Sequence, residues 1–177
     1  MYNQYTSQIM LADVLTVKLI KIHFPFFAFN SLKGLVVNCL KLIVMLNVEH
    51  IGIAVKNLDH SIPLFEKLLN TNCYKTETVE SEAVKTAFFK QGQTKIELLE
   101  SLHEEGVIAR YIEKKGEGMH HIAFEVKDIH AEMLRLQNEG FVLLNSAPKE
   151  GADNKLVCFL HPKSTNGVLI ELCQEKI

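Results

Sequence analysis

The segment Val48-Glu49-His50-Ile51-Gly52-Ile53-Ala54-Val55 returns 71 positions later as Met119-His120-His121-Ile122-Ala123-Phe124-Glu125-Val126. The correspondence runs on: Lys56 meets Lys127, Asn57 meets Asp128 and Leu58 meets Ile129. A second pair, Lys95-Ile96-Glu97-Leu98 and Leu169-Ile170-Glu171-Leu172, recurs at an offset of 74. A duplication of this length constrains the fold more than any composition value does. It means two copies of one supersecondary unit, each supplying one His and one Glu from strands. Four such side chains at equivalent points of two units read as a metal site on a pseudo-two-fold axis.

Each unit reads as β-α-β-β-β. Residues 48–55 alternate with the strand period, placing His50, Gly52 and Ala54 on one face and Ile51, Ile53 and Val55 on the other. Asn57 or Asp59 caps a helix with Ile62, Phe65 and Leu69 along one side. Strands follow near 73–79, 84–90 and 94–100, the last two joined by the turn Gln91-Gly92. A linker helix over 107–115 stops at Gly116 and Gly118. The second unit begins with a strand over 119–126 and a helix capped by Asp128, with Ile129, Met133 and Leu136 on one side. Strands over 141–144, 155–160 and 167–174 close it. The expected fold class is α+β, two tandem βαβββ modules (46–102 and 117–175) forming a curved mixed sheet in one domain over 45–177.

Residues 1–44 are of another kind: apolar, with four lysines against Asp13 alone. Lys21, Lys33 and Lys41 interrupt any run long enough to span a bilayer, and neither a cleavable leader nor an Arg-rich transit pattern is present. Met45 lies just before the first strand, so a start called too far upstream is one reading and a membrane-surface or partner-binding extension is the other. The whole chain is 47% hydrophobic and 23% charged with a formal net charge of −2, so it is globular and has no basic footprint for nucleic acid. Four cysteines without a CxxC spacing read as free thiols in a reducing, cytoplasmic compartment.

Two imidazoles and two carboxylates suit a six-coordinate divalent ion with positions left for water or substrate, and ligand type alone does not choose the metal. Such an ion polarises a carbonyl, and a carboxylate at its edge can carry a proton. Alternation turns His120 away from His121, which makes it a packed or supporting residue. His23, His60, His103 and His130 read as surface or cap positions. His161 is a candidate ligand contact, and Lys85, Lys149, Lys155 and Lys163 are candidate anion contacts whose default is a solvated charge.

The doubled unit with its His/Glu/His/Glu quartet resembles the vicinal oxygen chelate (glyoxalase/bleomycin resistance/dioxygenase) superfamily. Residues 118–126 and the run His161-Pro162-Lys163-Ser164…Gly167-Val168-Leu169-Ile170-Glu171-Leu172 resemble its methylmalonyl-CoA epimerase family. The resemblance covers about residues 46–175. It implies an isomerase that interconverts (R)- and (S)-methylmalonyl-CoA by proton abstraction at C2 through a metal-held enediolate. It further implies His50, Glu97, His121 and Glu171 as metal ligands, with Glu171 and Glu97 also moving protons. The implied ion is Co²⁺ first, then Mn²⁺, Ni²⁺, Zn²⁺ or Mg²⁺, the substrate is an acyl-CoA thioester, and a homodimer is expected. One departure stands out. Some epimerases carry a second acid/base carboxylate where this chain has Thr86, which leaves Glu97, Glu82 or a metal-bound water for the opposite face.

Two other readings compete with this one. A glyoxalase I-like lyase or isomerase would act on a thiol adduct with the same quartet. A metal-free small-molecule-binding protein of this fold would need no quartet at all. Metal content separates the last from the others, and deuterium entry at C2 separates the first two.

Overall fold

The computed structural model describes residues 45–176. The atypical segment 1–44, with Cys39 and the question of the start, lies outside the described residues. The described chain runs β1 (Met45–Ala54), α1 (Leu58–Leu69), β2 (Lys75–Val79), β3 (Val84–Gln91), β4 (Thr94–Ser101), α2 (Val107–Lys115), β5 (Gly118–Val126), α3 (Ile129–Asn138), β6 (Lys149–Glu150), β7 (Lys155–Leu160) and β8 (Ile170–Glu175). The eight strands form one curled mixed sheet in the order β2-β3-β4-β1-β5-β8-β7-β6. The order is the same on either side of the β1/β5 boundary. In each half the first strand pairs in parallel with its module's last, β1 with β4 and β5 with β8, and the two first strands pair antiparallel with each other.

Capping and periodicity account for the helices. The Asn57 side chain accepts the His60 N–H at 3.0 Å and starts α1, and Asp128 accepts the Ala131 N–H at 3.0 Å and starts α3. Each helix lays its apolar stripe on its own module. Leu58, Ile62, Phe65 and Leu69 of α1 pack with Val55, Ala87, Phe89 and Leu98. Ile129, Met133 and Leu136 of α3 pack with Val126, Cys158, Leu160 and Leu172. Burying a side chain of this size stabilises the fold by about 1.5–3 kcal/mol. Both helices cover the convex face, which leaves the concave face for the polar side chains. No helix among the described residues is long and apolar enough to cross a membrane.

One expected strand dissolves. Residues 141–144 form only an isolated bridge, Leu143 to Leu160, held by Leu144 N–H to Phe159 O and His161 N–H to Val142 O, each 2.7 Å. The next rung is taken over by a side chain, because the Asn145 amide oxygen accepts the Phe159 N–H at 3.2 Å. Pairing with β7 resumes only at the two-residue β6, just after Pro148, which has no N–H to donate.

Candidate functional site

The seam between the modules shifts register at three places, once between Met45 and Val48 and once beside each histidine. Val48 faces Phe124 and His50 faces Ala123, so Glu49 is the extra residue of a bulge on β1. Gly52 faces His121 and Ile53 faces Met119, so His120 is the extra residue of a bulge on β5. Each bulge turns its extra side chain onto the concave face beside the histidine that follows, and all four residues line one cavity of about 250 Å³. The expectation that His120 points away from His121 is therefore wrong: the bulge overrides the period of two. Glu49 was missed for the same reason. A legible signal existed, since positions 49 and 120 share the 71-residue offset of the two histidines.

The four expected residues come together at the seam. His50 Nε2 lies 2.9 Å from His121 Nε2. Glu97 Oε2 is 3.2 Å from His50 Nε2 and 3.6 Å from His121 Nε2. Glu171 Oε2 is 3.8 and 3.3 Å from the same two atoms. Ligands at about 2.1 Å from an ion and at right angles to one another stand about 3 Å apart, so the spacing fits a divalent cation. The 2.9 Å contact between the two Nε2 atoms needs either a proton donated by one ring to the other or a cation between them. All four side chains are buried, in parallel-paired strands β4 and β8 and at the centres of β1 and β5.

Electrostatics follow from burial among these neighbours. Burial disfavours charge on His50, but the carboxylates of Glu97, Glu171 and Glu49 outweigh it and raise the imidazole to about 9. Burial pushes the Glu171 carboxyl up to about 8 against the pull of the His50 charge, and burial raises Glu97 as well. Burial, then the His50 and His120 charges, hold His121 well below the usual imidazole range. Burial alone lowers His120 to about 4.

Beyond the quartet, Glu49 is the hub of a charged network. Its Oε2 meets His50 Nδ1 at 2.6 Å, and its Oε1 accepts from Lys95 and lies 3.5 Å from Lys155 Nζ. Lys95 reaches on to Asp153 Oδ2 at 2.6 Å, and Asp153 Oδ1 meets Lys75 Nζ at 3.0 Å. Burial opposes ionisation of Glu49, yet hydrogen bonds from His50 and Lys95 and their charges bring it down to about 2. The network ties the 151–154 loop of the second module to β2 and β4 of the first.

The remaining candidates divide. Lys149 and Lys155 line the cavity, Lys149 pairing with Glu82 across the modules at 2.5 Å and Lys155 pairing with Glu175. Lys155 is buried, not the solvated charge expected of it. Lys85 and Lys163 do not line the cavity, nor does His161, whose Nδ1 instead accepts the Lys163 N–H at 3.0 Å. Thr86 does line it, and its hydroxyl donates to Glu77 O at 3.4 Å. The rest of the wall is largely apolar, with Val84, Phe88, Leu99, Ile108, Val157 and Phe159 facing inward.

A doubled βαβββ sheet with two histidines and two glutamates converging at its seam defines the class of fold. The sequence matches the glyoxalase/bleomycin resistance protein/dioxygenase superfamily over residues 49–159, and the chain belongs to that superfamily. It is 40% identical over 129 residues to the ethylmalonyl-CoA/methylmalonyl-CoA epimerase of Cereibacter sphaeroides, covering 72% of this chain and 96% of that protein. The structure of methylmalonyl-CoA epimerase from Mycobacterium tuberculosis superposes with a TM-score of 0.74 at 30% identity, over 77% of this chain and 92% of that one. A methylmalonyl-CoA epimerase solved with methylmalonyl-CoA and NH4+ superposes with a TM-score of 0.72 at 31% identity, over 75% of this chain and 96% of that one. Within the superfamily these relatives place the chain among the epimerases, as an enzyme.

Proposed function

We propose that the enzyme interconverts (R)- and (S)-methylmalonyl-CoA, using a divalent ion held by His50, Glu97, His121 and Glu171. The observation that carries the reading is the convergence of two imidazoles 2.9 Å apart and two carboxylates, each 3.2 to 3.8 Å from their Nε2 atoms, at an apolar cavity between equivalent halves. The relatives named for this reaction, one of them solved with methylmalonyl-CoA, support an acyl-CoA thioester as the substrate. Donor types admit Co²⁺, our first choice, as well as Mn²⁺, Ni²⁺, Zn²⁺ or Mg²⁺. When bound, the ion supplies a Lewis acid that polarises the oxygens flanking C2.

The chain's own residues carry the proton. Glu171 takes the C2 proton from one face, as a buried carboxylate that lines the cavity beside the two imidazoles. Glu97, on the pseudo-equivalent strand, is the acid for the other face in this reading, since Thr86 offers no titratable proton. A proton given by Glu97 on the face opposite Glu171 inverts C2, and re-equilibration of the two carboxyls with solvent between turnovers is what carries deuterium to C2. The same reading takes the protein to be a cytoplasmic homodimer, which sedimentation and fractionation check.

The test is C2 proton exchange on methylmalonyl-CoA in deuterated water, for wild type and Glu171→Gln, with metal content measured in both. Exchange in wild type, lost in the variant with the metal retained, is the expected result. A metal-loaded wild type that exchanges no C2 proton sinks the reading and favours a lyase acting on a thiol adduct.

A further inference from the structure

The two bulge residues are equivalent in position and opposite in what they leave open. Glu49 has both oxygens occupied, by His50 on one side and by Lys95 and Lys155 on the other. His120 has one ring nitrogen occupied: its Nδ1 lies 3.0 Å from His121 Nδ1. Its Nε2 has no partner among the described residues and is not sealed from solvent, and the residue borders the cavity. The ring is also held in place. Tyr111 of α2 packs edge-to-face on it at 4.9 Å, and the Tyr111 hydroxyl is fixed by donating to Met119 O at 2.5 Å.

Hydrogen bonding then sets which nitrogen of His120 carries its proton. His121 directs Nε2 at His50, Glu97 and Glu171, so with a cation there its proton resides on Nδ1. That proton lies in the 3.0 Å contact with His120 Nδ1, which must accept it. The proton of His120 is left on Nε2, on the open side of a fixed ring.

We propose that His120 is a catalytic residue of this site, an imidazole whose Nε2–H donates a hydrogen bond to the acyl-CoA oxygen on which charge builds as the C2 proton leaves. The assignment rests on the epimerase reading for its substrate and on the seam geometry for its donor. His120 keeps its proton throughout, so no proton passes through it. It supplies from the protein what the cavity otherwise lacks on the α2 side, where Val107 and Ile108 are apolar. A fixed donor of this kind acts mainly in the transition state, and deleting one lowers kcat by about 10²- to 10³-fold.

Three variants and one spectrum decide it. In His120→Asn the amide oxygen replaces Nδ1 as acceptor for His121 and nothing replaces Nε2. In His120→Gln the amide nitrogen reaches the Nε2 position, and His120→Phe removes both. Expected for Asn is full metal content, a kcat for C2 exchange down about 10²-fold or more and KM changed by only a few-fold, with partial recovery in Gln over Phe. A metal-loaded Asn variant within about threefold of wild-type kcat overturns the proposal. So does an Asn variant that loses rate and metal together, since His120 would then only support His121. Independently of activity, long-range ¹H–¹⁵N spectra of the Zn²⁺-loaded wild type should give the Nε2–H tautomer for His120, and the Nδ1–H tautomer overturns it. A metal-loaded wild type that exchanges nothing removes the epimerase reading instead, while the spectrum still reads the donor.

Discussion

The ring of His121 lies directly across Gly52. A Cβ built on Gly52 would stand 2.5 Å from His121 Nδ1 and 2.7 Å from its Nε2, well inside van der Waals contact. On the other half the small residue across from His50 is Ala123. Each imidazole thus reaches the seam over a residue small enough to let it pass.

Gly52→Ala should therefore displace His121 while leaving both apolar cores in place. Overpacking of this kind costs about 1–3 kcal/mol. We expect metal affinity to fall by about tenfold or more, with the far-ultraviolet circular dichroism unchanged. Equal metal affinity in the variant would mean that the ring does not need this space.

Glu49 orients His50 through a 2.6 Å contact to Nδ1, so it should matter to metal without touching it. Loss of such a partner lowers metal affinity by about 10–100-fold. Glu49→Gln keeps the shape and removes the charge, and chelator competition measures the change. An affinity equal to wild type would reduce Glu49 to a structural anchor for Lys95.

The ion-free site has a definite pH signature. His50 is raised from 6.5 to about 9 and Glu171 from 4.5 to about 8, while His120 and His121 are held low, so the site holds more protons folded and ion-free than unfolded between roughly pH 7 and 9. Stability falls with rising pH wherever the folded state holds the extra proton. The ion-free Tm should therefore drop from pH 7 to pH 9, and an ion that takes the place of these protons should abolish the drop. Loading metal at pH 7 should release protons, read by calorimetry in buffers of different ionisation enthalpy. Metal uptake with no proton release would contradict the assignment.

Glu132 is fully buried on α3 with both oxygens bonded to Arg135, at 2.9 and 2.6 Å. Arg135→Ala strands a buried carboxylate and should destabilise by about 1–3 kcal/mol. Glu132→Leu keeps volume without a charge and should cost less. Urea unfolding of the two variants ranks them, and the reverse order would show that the pair is held by solvent instead.

The duplication made the sheet and the quartet legible, because His50, Glu97, His121 and Glu171 repeat at matching offsets in strand-like surroundings. Helix starts were legible through Asn57 and Asp128, whose side chains accept from the first turn. What escaped was whatever depends on a broken period. Glu49 and His120 owe their direction to bulges, which alternation cannot register. Asp153 and Lys95 meet only because the sheet curls, 58 positions apart in the chain. Residues 141–144 have strand composition, but one side-chain amide, Asn145, took the place of a backbone partner.

Each module has its own helix-covered core, yet neither holds more than one imidazole and one carboxylate of the quartet. The halves meet along β1 and β5, where the ladder is interrupted by bulges. The proposed centre therefore sits at the joint and not in either half. A breathing motion that parts the joint by an ångström would dismantle the centre while both cores stayed folded. Damage to the site and damage to the fold become separable events, and amide exchange along Glu49–Ala54 should report the first of them long before global unfolding reports the second.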